Sequence, residues 1–199
     1  MTLPIVETAT AADEAAVFDI LALAFSDDPM VRWTWPDGPL LLATFPGFAK
    51  AFGGVAFDHG SAHRVGRAAA ALWLPPGVGP DEAELDRILG ATMPDAVRAD
   101  GARLMEQMAH HHPTEPHWYL PLIGVDPAHR SKGLGGALLS HALAACDRDG
   151  TLAYLESTNP RNISLYERHG FERLGTLQYG SSPPMTPMLR KPRRRPRRQ

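Results

Sequence analysis

The chain has one cysteine among its 199 residues, Cys146. No intrachain disulfide can therefore form. Cys146 lies inside a helical pattern and reads as a small core residue rather than a nucleophile. Aromatic residues are few, at 8% of the chain. No uninterrupted apolar run is long enough for a membrane span. The most apolar window, residues 39–57, is broken by Pro46, Lys50 and several glycines. It reads as amphipathic helices. The opening residues lack a basic segment followed by an apolar core, and carry Asp13 and Glu14 instead. No secretory signal is expected, and the cytoplasm is the expected location. His110, His111 and His112 have no Cys or Asp at ligand spacing. No metal is expected there, only a solvated loop. No internal repeat precedes the final residues.

What is present begins with an asymmetry of charge. The formal net charge is −2, yet residues 190–199 carry seven Lys/Arg and no acid. Removing those seven cations from −2 leaves −9 on the body. An acidic body suits a cationic small substrate and argues against nucleic acid as the partner. The segment RKPRRRPRRQ cannot build a core and is expected to be a disordered basic tail. Residues 1–189 form the expected single domain.

Residues 3–6 suggest a first strand. Apolar residues then recur at helical spacing to Phe25, with Thr10 as N-cap. The break Ser26-Asp27-Asp28-Pro29 leads to Trp33 and Trp35, suited equally to a core or to a pocket for an organic substrate. Residues 40–57 suggest helix broken near Pro46. Residues 62–65 and 68–74 suggest two strands. Residues 81–108 suggest helical material broken at Met93-Pro94, placed to act as a lid. Residues 152–155 form another short strand, and residues 171–178 and 187–189 suggest two more.

The densest chemistry lies in HWYLPLIGVDPAHRSKGLGGALLSHALA, residues 117–144. An apolar strand ends at Val125. A turn follows with Arg130, Lys132, Gly133, Gly135 and Gly136, and then a helix. Amides at a helix start lack intrahelical partners, and the dipole there is positive. Such an end suits phosphate or pyrophosphate. The pattern fits neither GxxxxGK[ST] nor GxGxxG. The following strand should run parallel to the first, with its end at Glu156 on the same sheet edge.

Val125-Asp126-Pro127 followed by Arg130-x-x-Gly133-x-Gly135 resembles motif A of the GNAT acyl-CoA N-acyltransferase superfamily. LESTNPRNISLYERHGF, with Asn162, Tyr166, Gly170 and Phe171, resembles its motif B. More loosely, the N-terminal helices and the strand Ala-Leu-Trp-Leu-Pro-Pro-Gly resemble puromycin N-acetyltransferase-like bacterial enzymes. The resemblance implies an α+β fold: a mixed, strongly twisted sheet of about six or seven strands with flanking helices. It implies acetyl-CoA as co-substrate, its pantetheine lying between splayed middle strands.

Position by position, the resemblance implies that the amides of residues 131–136 hold the pyrophosphate. The cofactor-binding set is then Ile123, Val125, Arg130, Ser131, Lys132, Gly133, Leu134, Gly135, Gly136 and Asn162. The Val125 amide would bond the thioester carbonyl. Asn162 would touch the cofactor, cap a helix, or both. Tyr166 is the expected general acid for the leaving thiolate. Glu156 is the expected general base, with Asp27 and Asp28 as competitors that would otherwise bind a cationic amine. The expected reaction is direct acetyl transfer to a primary amine of a small molecule. The alternatives are an acyl-CoA-sensing module of the same fold, or acetylation of a protein or peptide amine. A monomer or homodimer is expected, without a membrane partner.

Overall fold

The structure is a computed structural model, and residues 4–193 are described here. Seven strands form one mixed sheet in the order β1-β2-β3-β4-β5-β7-β6. The strands are β1 (Glu7–Thr8), β2 (Ala62–Val65), β3 (Ala69–Leu74), β4 (His117–Val125), β5 (Leu152–Ser157), β6 (Glu172–Arg173) and β7 (Thr186–Arg190). The helices are α1 (Glu14–Phe25), α2 (Pro29–Thr34), α3 (Gly38–Gly53), α4 (Glu82–Thr92), α5 (Asp95–His111), α6 (Leu134–Asp149) and α7 (Ile163–Arg168). Among the described residues only β4 and β5 run parallel, joined through α6. This is the expected mixed architecture, with a core on each face of the sheet. One core gathers Val17, Leu21, Leu41, Phe45, Leu72 and Tyr154 under α1, α3 and α4. The other gathers Trp73, Leu138, Leu139, Leu155 and Tyr166 under α6 and α7.

Local chemistry explains most boundaries. Thr10 and Asp13 form a reciprocal capping box at the first helical turn, with Thr10 N–H to Asp13 Oδ2 at 2.9 Å. Such a box satisfies donors that the helix start leaves free. Met93-Pro94 separates α4 from α5, as the sequence suggests. Gly124 lets α1 sit directly on β4. A Cβ there would lie 2.5 Å from Ala24 Cβ and 3.2 Å from Leu21 Cδ2.

Several expectations need correction. The first strand is Glu7–Thr8, because its partners Arg64 and His63 stand opposite those residues. Pro46 does not break α3, which runs from Gly38 to Gly53. The carbonyl that loses its donor belongs to Leu42, which is half exposed, so water can meet it. By length and composition, Gly38–Phe57 passes for a membrane span. Its Leu41, Phe45 and Ala49 are nevertheless buried in the core beneath α1 and α4. The strand expected over 171–178 shrinks to Glu172–Arg173 and one bridge from Leu177 to Met185. Arg190 is not part of a disordered tail. It ends β7, is 2% exposed, and pairs with Asp147 of α6 at 2.8 Å. Its Nε also donates to the His169 carbonyl at 2.9 Å. The rest of the basic segment, from residue 194, lies outside the described residues.

Candidate active site

The site begins where β4 and β5 part. They pair through His117–Leu152, Trp118–Ala153 and Tyr119–Tyr154, and then stop. On its other side β4 pairs with β3, but Leu72 faces Leu122 while Leu74 faces Tyr119. One extra residue therefore sits on β4, at Leu120-Pro121. A bulge bends its strand and suits proline, which has no N–H for the ladder. It also resets the side-chain alternation, so Tyr119 and Leu122 face the same core. β5 continues to Ser157 paired only with β7. A gap opens between residues 120–125 and 155–157.

The ladder sets which β4 amides face that gap. Asp126 N–H donates to Ala68 O at 2.9 Å, on the β3 side. Strand alternation then turns the amides of Ile123 and Val125 toward the gap. Two backbone donors thus line the gap.

At the end of β4 the backbone is shaped for an anion. Asp126 accepts from Ala128 N–H at 2.8 Å and starts a single turn. Ser131 has φ 64° and Gly133 has φ 78°, both left-handed. Ser131 is the one non-glycine residue in that region among those described. Successive amides in such a turn make an anion-binding concavity. Among the described residues, no protein acceptor engages the amides of residues 131–136. They point from the start of α6, a helix of 16 residues. Gly133 has nothing within 4 Å of where a Cβ would stand, so the cradle is open on that side. These features fit a pyrophosphate. Lys132 is exposed beside it.

Arg130 does something the sequence did not disclose. Its guanidinium grips Asp27 through two hydrogen bonds of 2.8 Å, and donates to Ala24 O at 3.1 Å. The pair holds the Asp27 carboxyl below its ordinary range, chiefly through that hydrogen bonding. Asp28, the next residue, is buried. Its Oδ1 accepts from Met30 and Val31 N–H, capping α2, and its Oδ2 accepts from Thr158 Oγ1 at 2.7 Å. Burial pushes its carboxyl up. The Asp27-Asp28 dipeptide thus ties the α1–α2 loop to both walls of the gap. Neither acid is free to receive an amine, contrary to the competing role expected for them. The ties could not be read locally, because the partners lie 103 and 130 residues away.

Glu156 stands on β5 at the gap, half-buried, on the same face as Tyr154. Burial pushes its carboxyl from 4.5 up to about 7, while the nearby phenols of Tyr119 and Tyr154 pull the other way. Glu156 Oε1 and Tyr154 Oη are buried without a well-formed hydrogen bond. Among the described residues no cation pairs with Glu156. A structural ion pair is therefore not its role.

Behind these tyrosines sits His112, with its ring 4.8 Å from Tyr119 and 4.7 Å from Tyr154. Burial lowers its imidazole to about 4. The three histidines are thus not a solvated loop. His110 and His111 end α5 and bond Glu106 O and Gln107 O. His112 turns inward. The reason is the helix end itself, since the backbone becomes extended at His112.

Tyr166 is buried on α7 at the other wall, edge-on to Phe171. Burial, aided by the Asp28 charge, raises its phenol above its ordinary value, so it keeps its proton at neutral pH. Asn162 borders the same cavity and makes no capping bond; Asn159 caps the short turn instead, accepting from Arg161 N–H at 3.1 Å. Its amide is therefore available to a ligand.

A cavity of about 680 Å³ joins these groups. It runs from Ile123, Asn162 and Tyr166, past Glu156, to a wall made by α2, α3, α4 and α5. Trp33 and Trp35 both border it, and Trp35 is at once core (1% exposed) and lining. The segment expected as a lid supplies much of that wall. The aromatic and methionine lining had no motif to mark it.

A profile of the acetyltransferase (GNAT) family matches residues 99–171. An uncharacterized N-acetyltransferase of the fission yeast Schizosaccharomyces pombe is 31% identical over 78 residues, or 38% of this chain and 32% of that one. The chain thus spans about a third of that relative's length. Over nearly the whole chain, the structure resembles the histone acetyltransferase HPA2 and related acetyltransferase from Corynebacterium glutamicum. That match has TM-score 0.66 and 29% identity, covering 98% of this chain and 99% of the other. The polyamine N-acetyltransferase of Drosophila melanogaster, which forms N-acetylagmatine, shares the fold at TM-score 0.54. It is 16% identical, over 94% of this chain and 99% of that one.

Proposed function

We propose that this chain, which is similar to the acetyltransferase (GNAT) family over residues 99–171 and to an acetyltransferase structure over nearly its whole length, moves the acetyl group of acetyl-CoA onto a primary amine of a small molecule, by direct transfer in a ternary complex. The observation that carries this reading is a cavity that runs from the strand gap at Ile123 and Asn162 to a protonatable carboxylate, Glu156, with the open amide turn of residues 131–136 following the end of the same strand. The amides of residues 131–136 bind the pyrophosphate, with Lys132 beside it. Arg130 steadies the turn through Asp27 while presenting its charge there. The Ile123 and Val125 amides take the pantetheine arm and the thioester carbonyl. A backbone N–H at that oxygen stabilises the charge that develops on it. Asn162 meets the arm from the opposite wall.

Acetyl-CoA supplies the activated acyl group, and the residues do the rest. The amine nitrogen must be neutral to attack. Glu156, near half-ionised at neutral pH, accepts its proton directly or through water. The new bond joins nitrogen to the acetyl carbon as the carbon–sulfur bond breaks. Tyr166 gives its phenolic proton to the departing sulfur. Holding both reactants in line supplies the larger share, up to about 7–11 kcal/mol in well-oriented cases.

The test is thiol release with a panel of amines, including puromycin and aminoglycosides, alongside thermal melting with acetyl-CoA. Acetyl-CoA should raise the melting temperature, and Gly135→Glu should abolish the rise by placing a bulky anion in the cradle. A rise that survives Gly135→Glu would remove the pyrophosphate assignment.

A further inference from the structure

We infer that the acceptor is an amine carried on a bulky, apolar, aromatic-sized body, rather than a polyamine, a guanidino-amine or a peptide lysine. This rests on the acetyl-transfer reading above and narrows it.

The wall facing Glu156 is carbon. Trp33, Phe48, Phe52, Leu89, Met93 and Met108 line it. The polar edges of the tryptophans are already used. Trp33 Nε1 donates to Ser181 Oγ at 3.2 Å, and Trp35 Nε1 donates to Thr92 Oγ1 at 2.9 Å. Their rings therefore offer only apolar surface to a ligand. The carboxylates bordering the cavity are Glu156, Glu82 and Asp86. Glu82 and Asp86 are exposed on α4, and the cation Arg98 borders the same cavity. A polyamine's second charge would need a partner within the wall, since an unpaired buried cation is strongly disfavoured. Apart from Glu156, the lining provides only the exposed Glu82 and Asp86, which share it with Arg98, and the apolar stretch between provides none. A single amino group at Glu156 and a hydrocarbon body against the rings match the carboxylate and the apolar wall. Area removed from water then supplies the binding.

The methionines add a second property. Of seven in the chain, five border the cavity: Met30, Met93, Met105, Met108 and Met185. Thioether side chains are unbranched and adapt to irregular shapes. The wall accordingly accepts a range of apolar bodies and still excludes a second charge.

The experiment measures kcat/KM by thiol release at saturating acetyl-CoA. The panel is phenethylamine, tryptamine, putrescine, spermidine, agmatine and a lysine-containing peptide. The two apolar monoamines should be within about tenfold of each other. Both should exceed the polar amines by roughly 100-fold. Trp33→Ala should raise KM for tryptamine about tenfold and leave the KM for acetyl-CoA unchanged. Met105→Glu is a second variant on an exposed position of the lining, where folding is not at stake. It should raise the agmatine and spermidine values and lower those of the apolar amines. A preference for polyamines or peptide, or no swing on Met105→Glu, overturns the inference. No turnover of any panel amine, with acetyl-CoA still raising the melting temperature, also overturns it. No turnover together with no thermal shift instead overturns the acetyl-transfer reading on which it rests.

Discussion

Glu156→Gln tests site and fold together. In the folded chain the carboxyl titrates near about 7, against 4.5 ordinarily, because burial disfavours its charged form. A raised carboxyl means that the folded chain binds more protons than the unfolded one between these values. Stability is then lost as pH rises through that window. At about 1.4 kcal/mol per pH unit, the full cost is ~3 kcal/mol, an upper bound for a half-buried group. The amide keeps the shape and removes the titration. The unfolding free energy of the Glu156→Gln variant, relative to the parent chain, should therefore grow by up to ~3 kcal/mol from pH 4.5 to pH 8. Taking the difference matters because His63 and His112, lowered to about 4 by burial, act oppositely. They remove stability as pH falls below their unfolded value of 6.5. Denaturant titrations of both chains at half-unit pH steps supply the curve. The same variant has a kinetic arm. A base titrating near 7 gives kcat/KM an ascending limb there, well below the range of alkyl amines. Glu156→Gln should flatten that limb and lower kcat/KM by about 10²–10⁴. A stability difference independent of pH would refute the burial argument. An unchanged limb would refute the role of base.

Three further outcomes are expected. Tyr166→Phe should lower kcat by roughly 10²-fold or more and leave acetyl-CoA affinity unchanged; single-turnover kinetics read this, and unchanged turnover removes the phenol from the mechanism. Gly124→Ala forces its Cβ against Ala24 on α1, costing about 1–3 kcal/mol and lowering the melting temperature by several degrees in calorimetry. Asp28→Ala removes the α2 cap and the Thr158 contact; a loss of roughly 1–3 kcal/mol is expected, with a raised amine KM as α2 loosens.

What could be read from the sequence was whatever local chemistry encodes. The β4–turn–α6 unit is legible because glycine, proline and apolar spacing act within a few residues. The same holds for the Thr10 cap and the Met93-Pro94 break. The parallel β4–β5 pair follows from chain connectivity and handedness. Errors fell where distant partners decide. Pro46 reads as a breaker, yet its lost hydrogen bond falls at Leu42, a half-exposed residue, and the core on the helix's inner face keeps it whole. Arg190 reads as tail, yet Asp147 and the His169 carbonyl draw it into the sheet. A basic run shows charge, not which of its members is paired.

The Asp27-Asp28 pair marks the boundary between these two kinds of legibility most sharply. Two adjacent acids before a proline read as a cap and a turn, and Asp28 is indeed the α2 cap. Nothing nearby announces that Asp27 reaches Arg130 or that Asp28 reaches Thr158. Yet these contacts join the acceptor wall to both sides of the strand gap. The turn after β4 and the wall made by α2 are thus mechanically continuous through one dipeptide. Loosening α2 should therefore be felt in the turn proposed to hold pyrophosphate as well as in the proposed amine site. The turn motif and the unmarked wall act as one site because of a link that only the folded chain provides.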